Sequence, residues 1–314
     1  DAERARQTGL FAPHNVMIDG LTMPVDWTDD TFLPFNWGHT AFVYDATKMD
    51  APASFQALLD APDTLRIAIQ DPRTSVSGLA LALWIHKVFG NDAEAAWARL
   101  APKIVTVTKG WSEAYGMFTE GEVDMVLSYT TSPAYHIIAE GDETKKAAIF
   151  PEGHYVMVET AAQLAMTDQP DLAQAFMDFI LTEDFQSIIP EGNWSLPAKL
   201  DPAKMPAGFA NLPLPDVALI YDSAEAEALR DIVVAEGWGG LDPSDWGALW
   251  FTLWQAALSA GISVLLAVPV ARALARRRFI GRSMVIVLLG APFILPVIVA
   301  VLGLIAVFGR SGIV

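Results

Sequence analysis

Cysteine is absent from all 314 residues, which removes disulfides, thiolate metal ligands and sulfur nucleophiles at once. Histidine is sparse. His14, His39, His86, His136 and His154 form neither an HExxH motif nor a close histidine pair, so no zinc site is written in the chain and no metal is expected. Neither a GxSxG elbow nor a Walker loop occurs, which excludes the common serine-hydrolase and nucleotide-hydrolysing signatures. Negative charge is missing from one end of the chain. All 37 acidic residues lie before position 250, whereas six of the 20 basic ones (Arg272, Arg276, Arg277, Arg278, Arg282 and Arg310) lie after it. The first part therefore carries 14 − 37 = −23 and the tail +6, within a net −17. An asymmetry of this kind marks a change of environment along the chain.

Charge of either sign is missing from Trp246 to Ala271 and again from Ser283 to Gly309. Each stretch exceeds the roughly 20 apolar residues that cross a bilayer as a helix. Apolar residues occupy every face of both, so two transmembrane helices are expected at about 248–271 and 284–308. Pro269, Pro292 and Pro296 are compatible with this, because neighbouring helices can satisfy the freed carbonyls. The intervening "ARALARRRFIGRS" holds five arginines, and the positive-inside bias keeps the Arg272–Arg282 loop cytoplasmic. Residues 1–245 and the C-terminus are then expected outside the cytoplasmic membrane, in the periplasm of a Gram-negative cell. The opening "DAERARQTGLFAPHN" has no initiator methionine and no apolar leader core, so a processed chain or a piece of a longer one is expected.

Between residues 65 and 160, short β-like runs alternate with helix-like stretches. "LRIAIQ", "KIVTVT", "EVDMVLSY" and "HYVMVET" read as strands. "LALALWIHKVFG", "DAEAAWARLAP", "GWSEAYGMFTEG" and the segment from Pro133 to Glu140 read as helices. Such alternation implies βαβ units and a mainly parallel sheet. "QPDLAQAFMDFILTEDFQSIIPEG" reads as a long amphipathic helical region packing on the sheet through Leu172, Phe176, Phe179 and Ile180. Six prolines between Pro190 and Pro215 mark an ordered loop, and "SAEAEALRDIVVAEG" a last helix.

In an open α/β sheet, ligands bind beyond the carboxyl ends of the strands. "DPRTSVSG", Trp111 and "SYTTSPAY" all follow predicted strands at that edge. Thr74, Ser75 and Ser77 precede a helix beginning near Gly78, where hydroxyls and first-turn amides could cradle an anion or simply cap the helix. Trp111, Tyr129, Tyr135 and Trp194 could present π faces to a flat or cationic ligand, at roughly 0.5–2 kcal/mol per ring. Partly buried core aromatics are the plainer alternative. A ferric site built from tyrosines is a further alternative, and no base stands near Ser75 for an enzymatic reading.

"QDPRTSVSGLALALW", "VTVTKGWSEAYGMF", "VLSYTTSPAYHI", "EGHYVMVE" and "IPEGNWSLP" together resemble the periplasmic thiamine-binding proteins of bacterial ABC importers over about residues 1–235. "FTLWQAALSAGISVLLAVPVARALARRRFIGR" and "FILPVIVAVLGLIAVFGRSG" resemble the start of the thiamine importer's permease core, at about 246–314. The resemblance implies a type II periplasmic-binding-protein-like, two-lobed α/β domain over 1–235, lacking the family's first βα units. A linker at 236–247 and a permease-like segment at 248–314 with its two transmembrane helices would follow. It implies that Ser75 and Trp111 lie near a ligand phosphate, that Tyr135 flanks the pyrimidine, and that Tyr129 and Trp194 complete the pocket. The ligand would be thiamine, thiamine monophosphate or thiamine diphosphate, with no cofactor and no catalysis. Permease and ATPase subunits and the membrane would be partners, and nucleic acid would not. The competing readings are a ferric-ion or other small-solute binder, and a passive passenger on a damaged permease.

Overall fold

The computed structural model describes residues 2–238, together with Trp250, Trp254, Gln255 and Leu258. The chain divides into two compact units, Asp1–Gly240 and Leu241–Val314. The sheet, the core and the site all belong to the first. The expected span 284–308, the arginine loop, and all of the expected span 248–271 except Trp250, Trp254, Gln255 and Leu258 lie outside the described residues. Among the described residues, no helix is long and apolar enough to cross a membrane.

The main sheet has eight strands. Its path runs Ala218–Leu219, His154–Ala161, Leu33–Asp45, Met125–Tyr129, Ile67–Gln70, Ile104–Thr108, and Lys145–Ala147 and Leu196–Pro197 also pair with Leu33–Asp45. The expected parallel arrangement holds for Ile67–Gln70, which lies parallel to both Ile104–Thr108 and Met125–Tyr129. It fails at the spine. The 13-residue strand Leu33–Asp45 is antiparallel to all four of its neighbours. Periodicity did not reveal this strand, because it is buried on both faces along nearly its whole length and such strands show no alternation.

That strand also organises the interior. Phe42 and Tyr44 enter the largest apolar cluster and Val43 a second, while Leu33 and Trp37 enter two others. The largest cluster centres on Trp84, which is fully buried. Its ring lies 4.6 Å from Phe55, 5.7 Å from Phe150 and 6.1 Å from Phe42 between centroids. Its Nε1 donates to the Gly153 carbonyl at 2.9 Å. The parent helix, Val76–Phe89, is buried continuously from Ser77 to Ile85, which explains why "LALALWI" is apolar on every face. Gly78 lets this helix start against the end of a strand, since a Cβ there would lie 2.3 Å from the Gln70 carbonyl oxygen.

The amphipathic region after Gln169 departs from expectation. It breaks into three short helices, Pro170–Ile180, Glu183–Gln186 and Ile189–Asn193. Met177 and Ile180 turn inward, whereas Leu172, Phe176 and Phe179 are exposed. Phe179 leans on Phe185 at 5.6 Å instead of on the sheet. The segment expected as one helix from Pro133 to Glu140 is a single α-turn, Ser132–Tyr135, followed by a π-helical turn, His136–Glu140.

Two imidazoles are sealed where the spine meets its neighbour strand. His154 donates from Nδ1 to the Thr40 carbonyl at 2.7 Å, because its Nε2 accepts from the Phe150 amide at 2.7 Å. His39 is buried, and neither of its ring nitrogens meets a protein partner. Burial pulls His39 from 6.5 down to about 4, with the neighbouring His154 adding to the effect. Burial pulls His154 down to about 4 as well, against the opposing influence of its bond to Thr40. The folded state therefore binds fewer protons than the unfolded chain below about pH 6.5. The stability from these neutral rings is complete above that pH and is lost as pH falls through about 4. Urea unfolding should show a decline of roughly 2–5 kcal/mol between pH 7.5 and 4.5. His39→Leu removes one of the two titrations without breaking a hydrogen bond, so its decline should be shallower. Equal slopes in both chains would contradict this account.

Candidate binding site

The parallel trio brings Gln70, Thr108 and Tyr129 to one edge of the sheet. Beyond that edge lies a cavity of about 730 Å³, within the range typical of small-molecule sites. Trp111, Tyr129, Tyr135 and Trp194 all line it. Ser75 does not line it, and the aromatic set is thereby separated from the hydroxyl turn.

One wall is a ladder of rings. Trp111 opens the helix Trp111–Thr119, and Tyr115, one turn further, stacks on it at 4.7 Å and 22°. Tyr115 in turn stacks on His136 at 5.9 Å, and its hydroxyl meets His136 Nε2 at 2.9 Å. His136 Nδ1 lies 2.7 Å from the Glu140 carboxylate. Trp111 Nε1 donates to Ser128 Oγ at 2.8 Å, and Ser128 Oγ lies 2.7 Å from Ser132 Oγ. The indole is thus fixed in orientation while 38% of the residue remains exposed.

The other wall comes from the segment Gly192–Ser195 and from Met157 and Glu159. Trp194 has φ +52° and is the one non-glycine residue with positive φ among those described. Holding a bulky residue there costs on the order of 1–3 kcal/mol, and such strain clusters at ligand sites. Tyr135, 38% exposed, meets Trp194 edge to face at 5.1 Å, and Trp194 lies parallel to Phe209 at 6.5 Å.

Ser75 holds the position before the first turn of Val76–Phe89, but its side chain makes no capping bond. Its Oγ lies 2.9 Å from Ser77 Oγ, and Ser77 donates to Gln70 Oε1 at 2.8 Å. Ser77 also interacts with the Tyr129 hydroxyl. A polar thread therefore joins the serine turn to the cavity wall. Burial, mainly, pushes the Tyr129 phenol up to about 12 and raises that of Tyr115 too.

The lining residues that sequence reasoning missed include Asn36, Trp37, Tyr115, Glu140, Glu159 and Asn193. A signal existed for two of them. Tyr115 lies four residues after Trp111 in a helix and shares its face. Glu159 shares a strand face with Met157. Asn36 and Trp37 sit on the spine, which the pattern did not reveal. The metal-capable trio His136, Glu140 and Asp142 flanks this wall. Both of its imidazole nitrogens are already engaged by Tyr115 and Glu140, and Asp142 accepts from Lys145 at 3.1 Å.

An aromatic cavity at the strand ends of such a sheet suits a flat or cationic small molecule. The chain belongs to the family of bacterial extracellular solute-binding proteins, whose pattern matches residues 2–187. Within that class it is similar to the thiamine-binding periplasmic protein of Escherichia coli strain K12, at 49% identity over 235 residues, covering 74% of this chain and 71% of the relative. A solved periplasmic thiamin binding protein superposes with a TM-score of 0.72 at 48% identity, covering 75% of this chain and 74% of the other. The thiamine transport system permease protein of Brucella abortus strain 2308 is 42% identical over 94 residues, which is 28% of this chain and 17% of the permease.

Proposed function

We infer that this chain binds thiamine outside the cytoplasmic membrane as the solute-binding component of an ABC importer, without catalysis. One observation carries the reading: six aromatic residues from four separate segments line one cavity whose charged lining groups, Glu140 and Glu159, are both acidic. Thiamine is flat and carries a fixed positive charge on its thiazolium, so ring faces and carboxylates suit it. The similarity to thiamine-binding periplasmic proteins supports the same ligand.

Trp111, Tyr129, Tyr135 and Trp194 hold the two rings of the vitamin, and the phosphate of thiamine monophosphate or diphosphate extends beyond the cavity lining toward Ser75. The thread from Ser75 through Ser77 to Tyr129 supports this direction for the phosphate. Residues 1–235 form the capture domain and 236–247 the linker. Residues 248–314 tether it to the membrane through spans at about 248–271 and 284–308, with the Arg272–Arg282 loop cytoplasmic. The similarity to a permease and the long uncharged stretches support the tether. Permease and ATPase subunits of the importer are the partners.

Titrating the purified full-length chain with thiamine should quench tryptophan fluorescence saturably, because Trp111 and Trp194 both line the cavity. Added Fe³⁺ should give no visible tyrosinate band. A tyrosinate band with no response to thiamine would replace this reading with the ferric one.

A further inference from the structure

Glu159 is exposed, but it lines the cavity and is held in place there. It sits on the strand His154–Ala161, directly opposite Asn36 of the spine and immediately after a register irregularity between Pro34 and Asn36. Asn36 is 1% exposed, and its Nδ2 donates to Glu159 Oε2 at 2.6 Å. Asn193 Nδ2 donates to the same oxygen at 2.9 Å. Asn193 immediately precedes Trp194, whose positive φ places its ring at the cavity. Two amides from separate elements thus converge on one carboxylate oxygen. Neutral amides hold a carboxylate in place without discharging it. Among the described residues no lysine, arginine or histidine pairs with Glu159, whereas Glu140, the other acid of the cavity, is engaged by His136.

The result is a positioned negative charge in the cavity lining with no ion-pair partner among the described residues. In a partly desolvated cleft such a charge favours a cation and disfavours a neutral molecule of the same outline.

We propose that Glu159 is the specificity-determining residue that reads the positive charge of the ligand, and that Asn36 and Asn193 set its position. The inference rests on the thiamine-binding reading and goes beyond it by assigning charge selection to one carboxylate. The aromatic faces then supply shape and stacking for any flat ring, and Glu159 distinguishes the cationic vitamin from uncharged relatives.

The test compares thiamine with thiochrome, its flat neutral oxidation product, by calorimetric titration of the full-length chain and of Glu159→Gln at low and moderate salt. The amide variant keeps the shape and an acceptor for Asn36 and Asn193. Glu159→Gln should bind thiamine about tenfold more weakly, bind thiochrome within twofold of the parent, and show a flatter salt dependence. Asn193→Ala, which frees the carboxylate without removing its charge, should give a smaller loss for thiamine and keep the salt dependence. Unaltered thiochrome binding reports that the pocket is intact in each variant. If the parent binds thiamine and Glu159→Gln binds it equally well, or loses both ligands in parallel, charge reading by Glu159 is overturned while thiamine binding stands. If the parent binds neither ligand, the functional reading itself fails.

Discussion

Trp111→Ala is expected to lower thiamine affinity by about 10- to 100-fold, the largest loss available from any single ring in the cavity. The indole offers its exposed face to the cavity and is held from behind by stacking on Tyr115 and from the side by its bond to Ser128. A cation over a tryptophan face is worth about 0.5–2 kcal/mol, and loss of the buried ring area adds to that. Truncation also removes the support that keeps Tyr115 in line with the wall. Tyr135→Ala should lose less, because its edge contact with Trp194 leaves that ring in place against Phe209. Trp111 begins its helix and is partly exposed, so its removal should leave the midpoint of thermal unfolding nearly unchanged. Calorimetric titration reads the affinity and a thermal scan the stability. Undiminished affinity would remove Trp111 from the site.

Trp84→Ala is expected to produce the opposite pattern, a collapse of stability through a residue remote from the cavity lining. Large-to-small changes at buried aromatic positions cost about 3–5 kcal/mol, from lost transfer energy and the void left behind. Trp84 sits at the upper end of that range because Phe42, Phe55, Phe150 and His154 all pack on it. Its removal also leaves the Gly153 carbonyl without the indole donor, a further cost for a buried acceptor. Against a typical total stability of about 5–15 kcal/mol, the variant should be largely unfolded at modest urea concentrations. Trp84→Phe should recover part of the loss, by refilling the volume without restoring the hydrogen bond. A change below about 1 kcal/mol for the alanine variant would mean that the cluster is not organised around this ring.

Local pattern made the parallel trio legible, together with the edge at which its strands end. Short β runs followed by Gly, Ser or aromatic residues identify "SYTTSPAY" and "KGW" as strand-end segments, and both contribute to the cavity. The spine was hidden for a physical reason. In "LPFNWGHTAFVYD" burial on both faces erases the period of two, and Pro34, Asn36 and Gly38 imitate a loop. Losing the spine meant losing Asn36 and Trp37, and with them the partner that fixes Glu159. The helix after Gln169 misled in another way. The spacing of Leu172, Phe176 and Phe179 was read correctly as a face, but nothing in the sequence says which face turns inward. Ser75 shows a third limit. Its place ahead of a helix was legible, but the direction of its hydroxyl, toward Ser77 and not toward the helix amides or the cavity, depends on tertiary neighbours.

The spine has a temporal consequence. Among the described residues it precedes every other strand of the main sheet, yet its pairing partners begin only at Met125 and continue to Pro197. No short-range hairpin can shelter it in the meantime, and closing such long loops delays assembly. Until those distant residues arrive, "FNWGHTAFVYD" is an apolar ribbon with both edges open, the segment through which a nascent chain would self-associate.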